Sequence, residues 1–248
     1  MKELYKKLFE ACKDEADFKK SAHFVSVKGK NYENNDVRFM SIGRAPNGWR
    51  SLPTDSAESF GQNAQQCFES TQGFSWIKSF YGVLYNESKD YCVSGAPYWS
   101  YSRAIWEGLF DGDTSELVWQ ENIVWSNLYK ISPNDGDPNP GEESRMLQLE
   151  TCKSILKKEL DEYKPTHILI FTGFDVWFDS FKDVFQNVVD LGVRNISKGP
   201  SKNDVFVEGT ATYGDAKVVV ACRPEYRNAE QYVEQVLREF RSQTNTIL

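Results

Sequence analysis

Val37-Arg38-Phe39-Met40-Ser41-Ile42-Gly43-Arg44-Ala45-Pro46-Asn47-Gly48 is the stretch on which the fold turns. A short apolar run reaches Gly43 and then gives way to arginine, proline, asparagine and glycine. A strand covered on both faces reads as such a run rather than as strict alternation. Glycine and proline then mark the loop that leaves it. The same grammar recurs three times. Glu121-Asn122-Ile123-Val124-Trp125-Ser126-Asn127 precedes a loop, 132–141, with three prolines and two glycines. His167–Thr172 precedes Gly173, and Lys217–Cys222 precedes Arg223-Pro224.

Helical spacing fills the intervals. Leu4, Leu8, Phe9 and Cys12 share one face of a helix expected from residue 3 to about 20. Residues 57–69 and 74–86 read as helices, and 103–110 as a short one ended by Asp111-Gly112-Asp113. Met146, Leu149, Cys152, Leu156, Leu160 and Tyr163 predict a long helix that Pro165 stops. Trp177, Phe181, Val184 and Val188 give the next helix an apolar stripe, and Val233, Val236, Leu237 and Phe240 line a final helix. Val205–Val207 and Thr210–Tyr213 suggest a hairpin or edge strand, while the aromatic stretch Tyr91–Tyr101 has no readable period. The alternation predicts a three-layer α/β/α sandwich around a central, mainly parallel four-stranded sheet. One domain is expected over 1–248, with residues 1–30 as an N-terminal helical extension.

Composition narrows the function. A net charge of −7 argues against a broad basic surface but leaves room for a local basic groove. The longest apolar runs, Ile168–Phe171 and Val218–Cys222, fall far short of the roughly 20 residues of a membrane span. The first residues lack the apolar stretch of a signal peptide. Cys12, Cys67, Cys92, Cys152 and Cys222 are odd in number and form no close pair, as expected for reduced thiols. A cytoplasmic protein without a membrane partner is the expectation. With two histidines and no G-x-S-x-G elbow, a serine triad and a zinc enzyme are poor fits. Asn134-Asp135-Gly136-Asp137 has the acidic turn of a cation loop but not the later glutamate, so an ordinary turn is the better reading and no metal is expected.

Ligands of open parallel sheets bind outside the carboxyl ends of the strands. Four loops start there: Gly43–Trp49, Asn127–Gly141, Gly173–Asp175 and Arg223–Asn228. The first is neither a dinucleotide turn nor a Walker loop. Asn127 offers a donor and an acceptor on one amide, which suits the edge of a nucleobase. Its plainer role is to cap the loop backbone.

At these residues the chain resembles the uracil-DNA glycosylase superfamily. Gly43-Arg44-Ala45-Pro46-Asn47-Gly48 looks like the Gly-Glu-Ala-Pro-Gly loop of its thermostable, bacterial-type branch. Asn127-Leu128-Tyr129-Lys130-Ile131-Ser132-Pro133, with Pro138, Pro140 and Glu142-Glu143, resembles that branch's Asn-x-x-Lys-x-x-Pro loop and acidic helix start. Ile168–Gly173 fits its next strand, and Val218–Pro224 resembles the strand leading to its His-Pro motif. Order and spacing agree from about residue 36 to residue 241. The resemblance implies that fold, base flipping as the mode of recognition, and DNA or a nucleobase-containing ligand as partner. It implies Gly43, Arg44, Ala45, Pro46, Asn127 and Lys130 as base-binding residues, and Asn47 and Arg223 at catalytic positions.

The departures bear on chemistry. The family's water-activating carboxylate position holds Arg44, and arginine is no general base near neutral pH. The last-motif histidine position holds Arg223, which retains a means of stabilising an anionic leaving group. Asn47 or Asp135 is left to position a water. The four cysteines of that branch's iron–sulfur cluster are absent at its spacing, so no cofactor is expected. Trp49, Phe60, Phe74 and Trp99 are candidates to stack on an extruded base, with the core as the alternative for each. Three readings follow: a divergent glycosylase, a nucleotide or nucleic-acid binding module without chemistry, and a binder of an unrelated small anion.

Overall fold

The computed structural model describes residues 1–15, 17–46, 52–71, 74, 77–80, 83–86, 96–110, 118–133, 139–193, 204–225 and 227–243. In chain order the elements are α1 (Lys2–Cys12), β1 (Ala22–His23), β2 (Val27–Lys28), β3 (Phe39–Gly43), α2 (Ala57–Glu69), β4 (Ile77–Phe80), β5 (Val83–Asn86) and α3 (Pro97–Leu109). They continue with β6 (Ile123–Asn127), β7 (Ile131–Ser132), α4 (Glu142–Tyr163), β8 (His167–Phe171), β9 (Gln186–Asp190), β10 (Val207–Tyr213), β11 (Ala216–Ala221) and α5 (Ala229–Ser242).

The main sheet runs β2-β6-β3-β8-β11-β10-β9. Its centre, β6-β3-β8-β11, is parallel throughout. These are the four strands expected from the apolar runs. The sheet is wider than four strands because β2 adds antiparallel to β6, and β10 and β9 add antiparallel beyond β11. The chain is therefore a mixed α/β protein with a mainly parallel core.

The period of two sorts side chains onto two faces. Met40 and Ile42, Val124, Ile168 and Ile170, and Val218 and Val220 join one core with α1, α2 and α4. Phe39, Ile123 and Trp125, Leu169 and Phe171, and Val219 and Ala221 join the other with α3 and α5. Helices thus cover both faces, which is why the central strands carry no polar side. Each fully buried Val, Leu, Ile or Phe contributes about 1.5–3 kcal/mol. The N-terminal residues are integral to this body: Tyr5, Leu8 and Cys12 of α1 are fully buried in the first core, and β2 belongs to the main sheet.

Local signals account for the helix ends. The Ser56 side chain accepts from Ser59 N–H and starts α2, as Asn228 does for α5 through Gln231 N–H. Pro97 opens α3 at the first turn, where its missing N–H costs nothing. Lys164 ends α4 in the left-handed region at φ 47°, and Pro165 follows.

Three expectations need correction. Residues 74–86 contain an antiparallel strand pair, not a helix: Phe80 pairs with Val83, and two residues separate them in the chain, a spacing that suits a hairpin. The first helix stops at Cys12, and Phe18–Lys20 forms a separate short turn. The stripe Trp177–Val188 is not one helix. Gly173 at φ 76° and Val176 at φ 62° break the helical path, Asp179–Val184 is a tight helical turn, and Val188 lies in β9, where β-branched residues fit.

No helix among the described residues is long and apolar enough to cross a membrane.

Candidate functional site

Because β3, β6, β8 and β11 are parallel, Gly43, Asn127, Phe171 and Ala221 finish at one edge of the sheet. The loops leaving β3 and β6 are laced together there. Leu128 N–H donates to Gly43 O at 2.9 Å, Tyr129 N–H donates to Arg44 O at 2.9 Å, and the Ser132 hydroxyl donates to Pro46 O. Ala45, half-buried, packs on the first core. The Gly43–Pro46 segment therefore serves as a rigid floor fixed by its backbone.

Asn127 stands on that floor. It is 3% exposed, and its amide nitrogen is buried without a hydrogen-bond partner among the described residues. Gly43 is opposite it in register, and a Cβ at Gly43 would lie 2.4 Å from Asn127 Oδ1. Only glycine allows the amide to sit there. The half-buried Tyr98 completes this side: its ring comes within 3.5 Å of the same Cβ position, and its hydroxyl accepts from Ser41 Oγ at 2.7 Å. A buried amide N–H without a partner costs about 1–3 kcal/mol, so the arrangement is unfavourable unless something polar approaches it.

Lys130 follows a different logic. Its ammonium and the Glu159 carboxylate are both 0% exposed and lie 2.9 Å apart. Lys130 Nζ also donates to Ser126 Oγ at 2.8 Å and to Asn127 O at 2.7 Å. Ser126 Oγ in turn donates to Glu159 at 2.7 Å. The donors of Lys130 are thus used internally. Next to Asn127, it holds the main chain that carries the amide.

Arg44 leaves the floor toward β8. Its Nε and Nη2 donate to Thr172 O at 3.3 and 3.0 Å, and its guanidinium lies 4.9 Å from the centre of the Trp177 ring. Arg145, in the first turns of α4, places its guanidinium 5.0 Å from the same ring. Trp177 is presented by the turn after β8, where Gly173 takes φ 76° and Phe174 N–H donates to the buried Glu208 carboxylate at 2.7 Å.

Arg223 is not brought into this group. It is largely exposed and forms a bidentate ion pair with Glu225, at 3.0 and 2.6 Å. Phe60, Phe74 and Trp99 are buried in the two cores and offer no open face. Asn47, Trp49, Asp135 and the Asn134–Asp137 turn lie outside the described residues. The described residues contain no cluster of histidine, cysteine and carboxylate side chains able to hold a metal.

The remaining titratable groups are structural. His23 donates through Nε2 to Phe18 O and accepts from Leu52 N–H at Nδ1; burial pushes its pKa down to about 4. His167 is at the opposite, amino end of β8 and is likewise lowered to about 4, by burial and then by Lys217. Burial pushes Cys152 and Cys222 up to about 12, far from a reactive thiolate.

Sequence reasoning missed Tyr98, Trp177 and Arg145. Pro97 was the available signal for the first, since proline followed by good helix residues marks a helix start. Trp177 and Arg145 carried none, because their meeting depends on an irregular turn. No protein-family model matches this chain, and no curated protein matches it either.

Proposed function

We propose that this chain is a divergent member of the uracil-DNA glycosylase superfamily that recognises a nucleobase, as a lesion in DNA or as a nucleotide, against Asn127. The single observation that carries the reading is the orphaned, buried amide nitrogen of Asn127 at the carboxyl edge of the parallel sheet, with Gly43 cleared to admit it. A base edge supplies the missing acceptor and, beside it, a donor. Tyr98 gives the base an aromatic neighbour, and the Lys130–Glu159 pair fixes the amide's position.

The reading is one of recognition first. Hydrolysis of the glycosidic bond needs an activated water. Arg44 cannot supply a base, and its guanidinium is turned to Thr172 and Trp177. Arg223 is engaged with Glu225. Excision of a deaminated base is therefore the second outcome of the test rather than the starting point.

The test uses single- and double-stranded oligonucleotides carrying uracil, hypoxanthine or xanthine, with binding and base release measured in the same samples. Selective binding that Asn127→Ala abolishes supports the reading. Base release lost in the same variant makes the protein an enzyme. Equal affinity for all bases and for an abasic strand, unchanged by Asn127→Ala, refutes it.

A further inference from the structure

We propose that Glu208 is the carboxylate that activates water beside the nucleobase read by Asn127, at the crevice between the carboxyl ends of β3 and β8. The reaction is hydrolysis of the N-glycosidic bond, and the assignment rests on the proposed recognition of a nucleobase.

The place follows from topology and from two glycines. From β3 the chain proceeds to β6 on one side, and from β8 it proceeds to β9, β10 and β11 on the other. The crevice between β3 and β8 is thus the point where the winding reverses, which is where open α/β sheets bind ligands. Gly43 ends β3, and the space of its missing side chain is taken by Asn127 Oδ1. Gly173 follows β8 and continues its ladder, donating from N–H to Ala221 O at 2.9 Å. A Cβ at Gly173 would lie 3.3 Å from Glu208 Oε2. A polar side chain therefore stands at the end of each of two neighbouring strands, one reaching in from β6 and the other from β10. By alternation both glycines continue the positions that enter the core under α3 and α5, after Phe39 in β3 and after Leu169 and Phe171 in β8. With strands spaced about 4.8 Å apart, the two groups flank the crevice at a separation on the order of 10 Å.

The chemistry follows from the residue. Glu208 is the extra residue of a β-bulge between Val207 and Gly209, and a bulge re-aims a side chain. It is 5% exposed. Its Oε2 accepts from Phe174 N–H at 2.7 Å, and among the described residues its side chain meets no other hydrogen-bond donor and no cation. A carboxylate buried with so little compensation is costly to fold. Held by a single N–H, it keeps lone pairs for a water. In the step assigned to it, the water oxygen bonds to the sugar carbon C1′ as the bond from C1′ to the nucleobase nitrogen breaks. The water's proton passes to Glu208, and the electron pair leaves on the nucleobase, which takes a proton from solvent. Glu208 then returns its proton to solvent. The products are a free nucleobase and an abasic sugar.

Binding and nucleobase release, measured together on the uracil, hypoxanthine and xanthine strands, test this. The proteins are wild type, Glu208→Gln, Glu208→Ala and Asn127→Ala, each with its melting temperature. Glu208→Gln keeps an acceptor for Phe174 N–H. It should bind with unchanged discrimination and an unchanged melting temperature, while release falls roughly 10²–10⁴-fold, the usual weight of a general base. In Glu208→Ala, added formate should restore part of the release, because a small carboxylate takes the place of the lost one. A Glu208 that only holds the Phe174 turn would show no such rescue, and that result overturns the assignment. Release equal in wild type and Glu208→Gln overturns it as well. A wild type that discriminates nucleobases through Asn127 but releases none overturns it and leaves the recognition reading standing. Release that depends on Glu208 but is unaltered by Asn127→Ala refutes the recognition reading and leaves Glu208 as the water-activating group. A wild type that neither discriminates nor releases refutes both.

Discussion

Asn127 ends β6 and Lys130 follows it by three residues, and the two have opposite fates. Both are buried and polar. The ammonium of Lys130 meets a carboxylate, a hydroxyl and a carbonyl. The amide nitrogen of Asn127 meets no acceptor among the described residues. Folding alone explains the first, because a buried charge persists only when it is paired and hydrogen-bonded. Folding does not explain the second, since leaving a buried donor unmade costs free energy. The contrast separates a group satisfied within the fold from the group on which the proposed recognition rests.

That contrast can be broken at either member. Replacing one partner of the buried pair, as in Lys130→Met or Glu159→Leu, should cost about 3–5 kcal/mol in urea unfolding, since the other charge is left uncompensated. The double variant should lose less than either single one, because both charges leave together. A double-variant loss equal to the sum of the two single losses would mean that the pair is not coupled.

His23 extends the satisfied side of the comparison to pH. Its folded pKa of about 4 lies below the 6.5 of the free imidazole, so the unfolded chain binds more protons between those values. Stability from this group is complete above about pH 6.5 and declines as the pH falls toward 4. The two and a half units amount to about 3 kcal/mol at 1.36 kcal/mol per unit. His23→Gln should flatten the decline seen by urea unfolding across that window, apart from the similar part due to His167. A wild-type profile already flat between pH 4 and 6.5 would show that the imidazole is not held neutral.

Gly43→Ala sharpens the other side. The new Cβ would meet Asn127 Oδ1 at 2.4 Å and must displace it. A stability loss of about 1–3 kcal/mol is expected from overpacking, together with lost base discrimination although Asn127 itself is intact. Discrimination unchanged in this variant would place the reading group elsewhere. The smallest stability effect belongs to Asn127→Ala. It removes a buried donor that is unfavourable where it sits and leaves a cavity in its place, two terms of opposite sign, so unfolding should move by less than about 1 kcal/mol.

The four central strands and the long helix were legible in the sequence because their cause is local. A doubly covered strand must be an apolar run, and Pro165 must end what precedes it. The edges were less legible. Val188 and the strand pair at 77–86 carry apolar spacing compatible with more than one period, and strand pairing decided between them. At the site, Asn127 and Gly43 were readable, because a strand end followed by loop residues marks the ligand edge. The role of Lys130 was not, since its partner Glu159 lies 29 residues away on the buried side of a helix. The meeting of Arg44 and Arg145 on Trp177 was also hidden. It depends on positive-φ backbone at Gly173 and Val176 and on three separate elements converging.

The most direct measurement pairs two titrations on the same preparations of wild type and Asn127→Ala: urea unfolding, and binding of uracil-containing and abasic single strands. The variant should unfold at nearly the same urea concentration yet no longer prefer the base-bearing strand, a loss of about 1–3 kcal/mol for a bidentate contact. A variant that is clearly destabilised while its preference is intact would contradict it, because Asn127 would then be part of the architecture and not the reader.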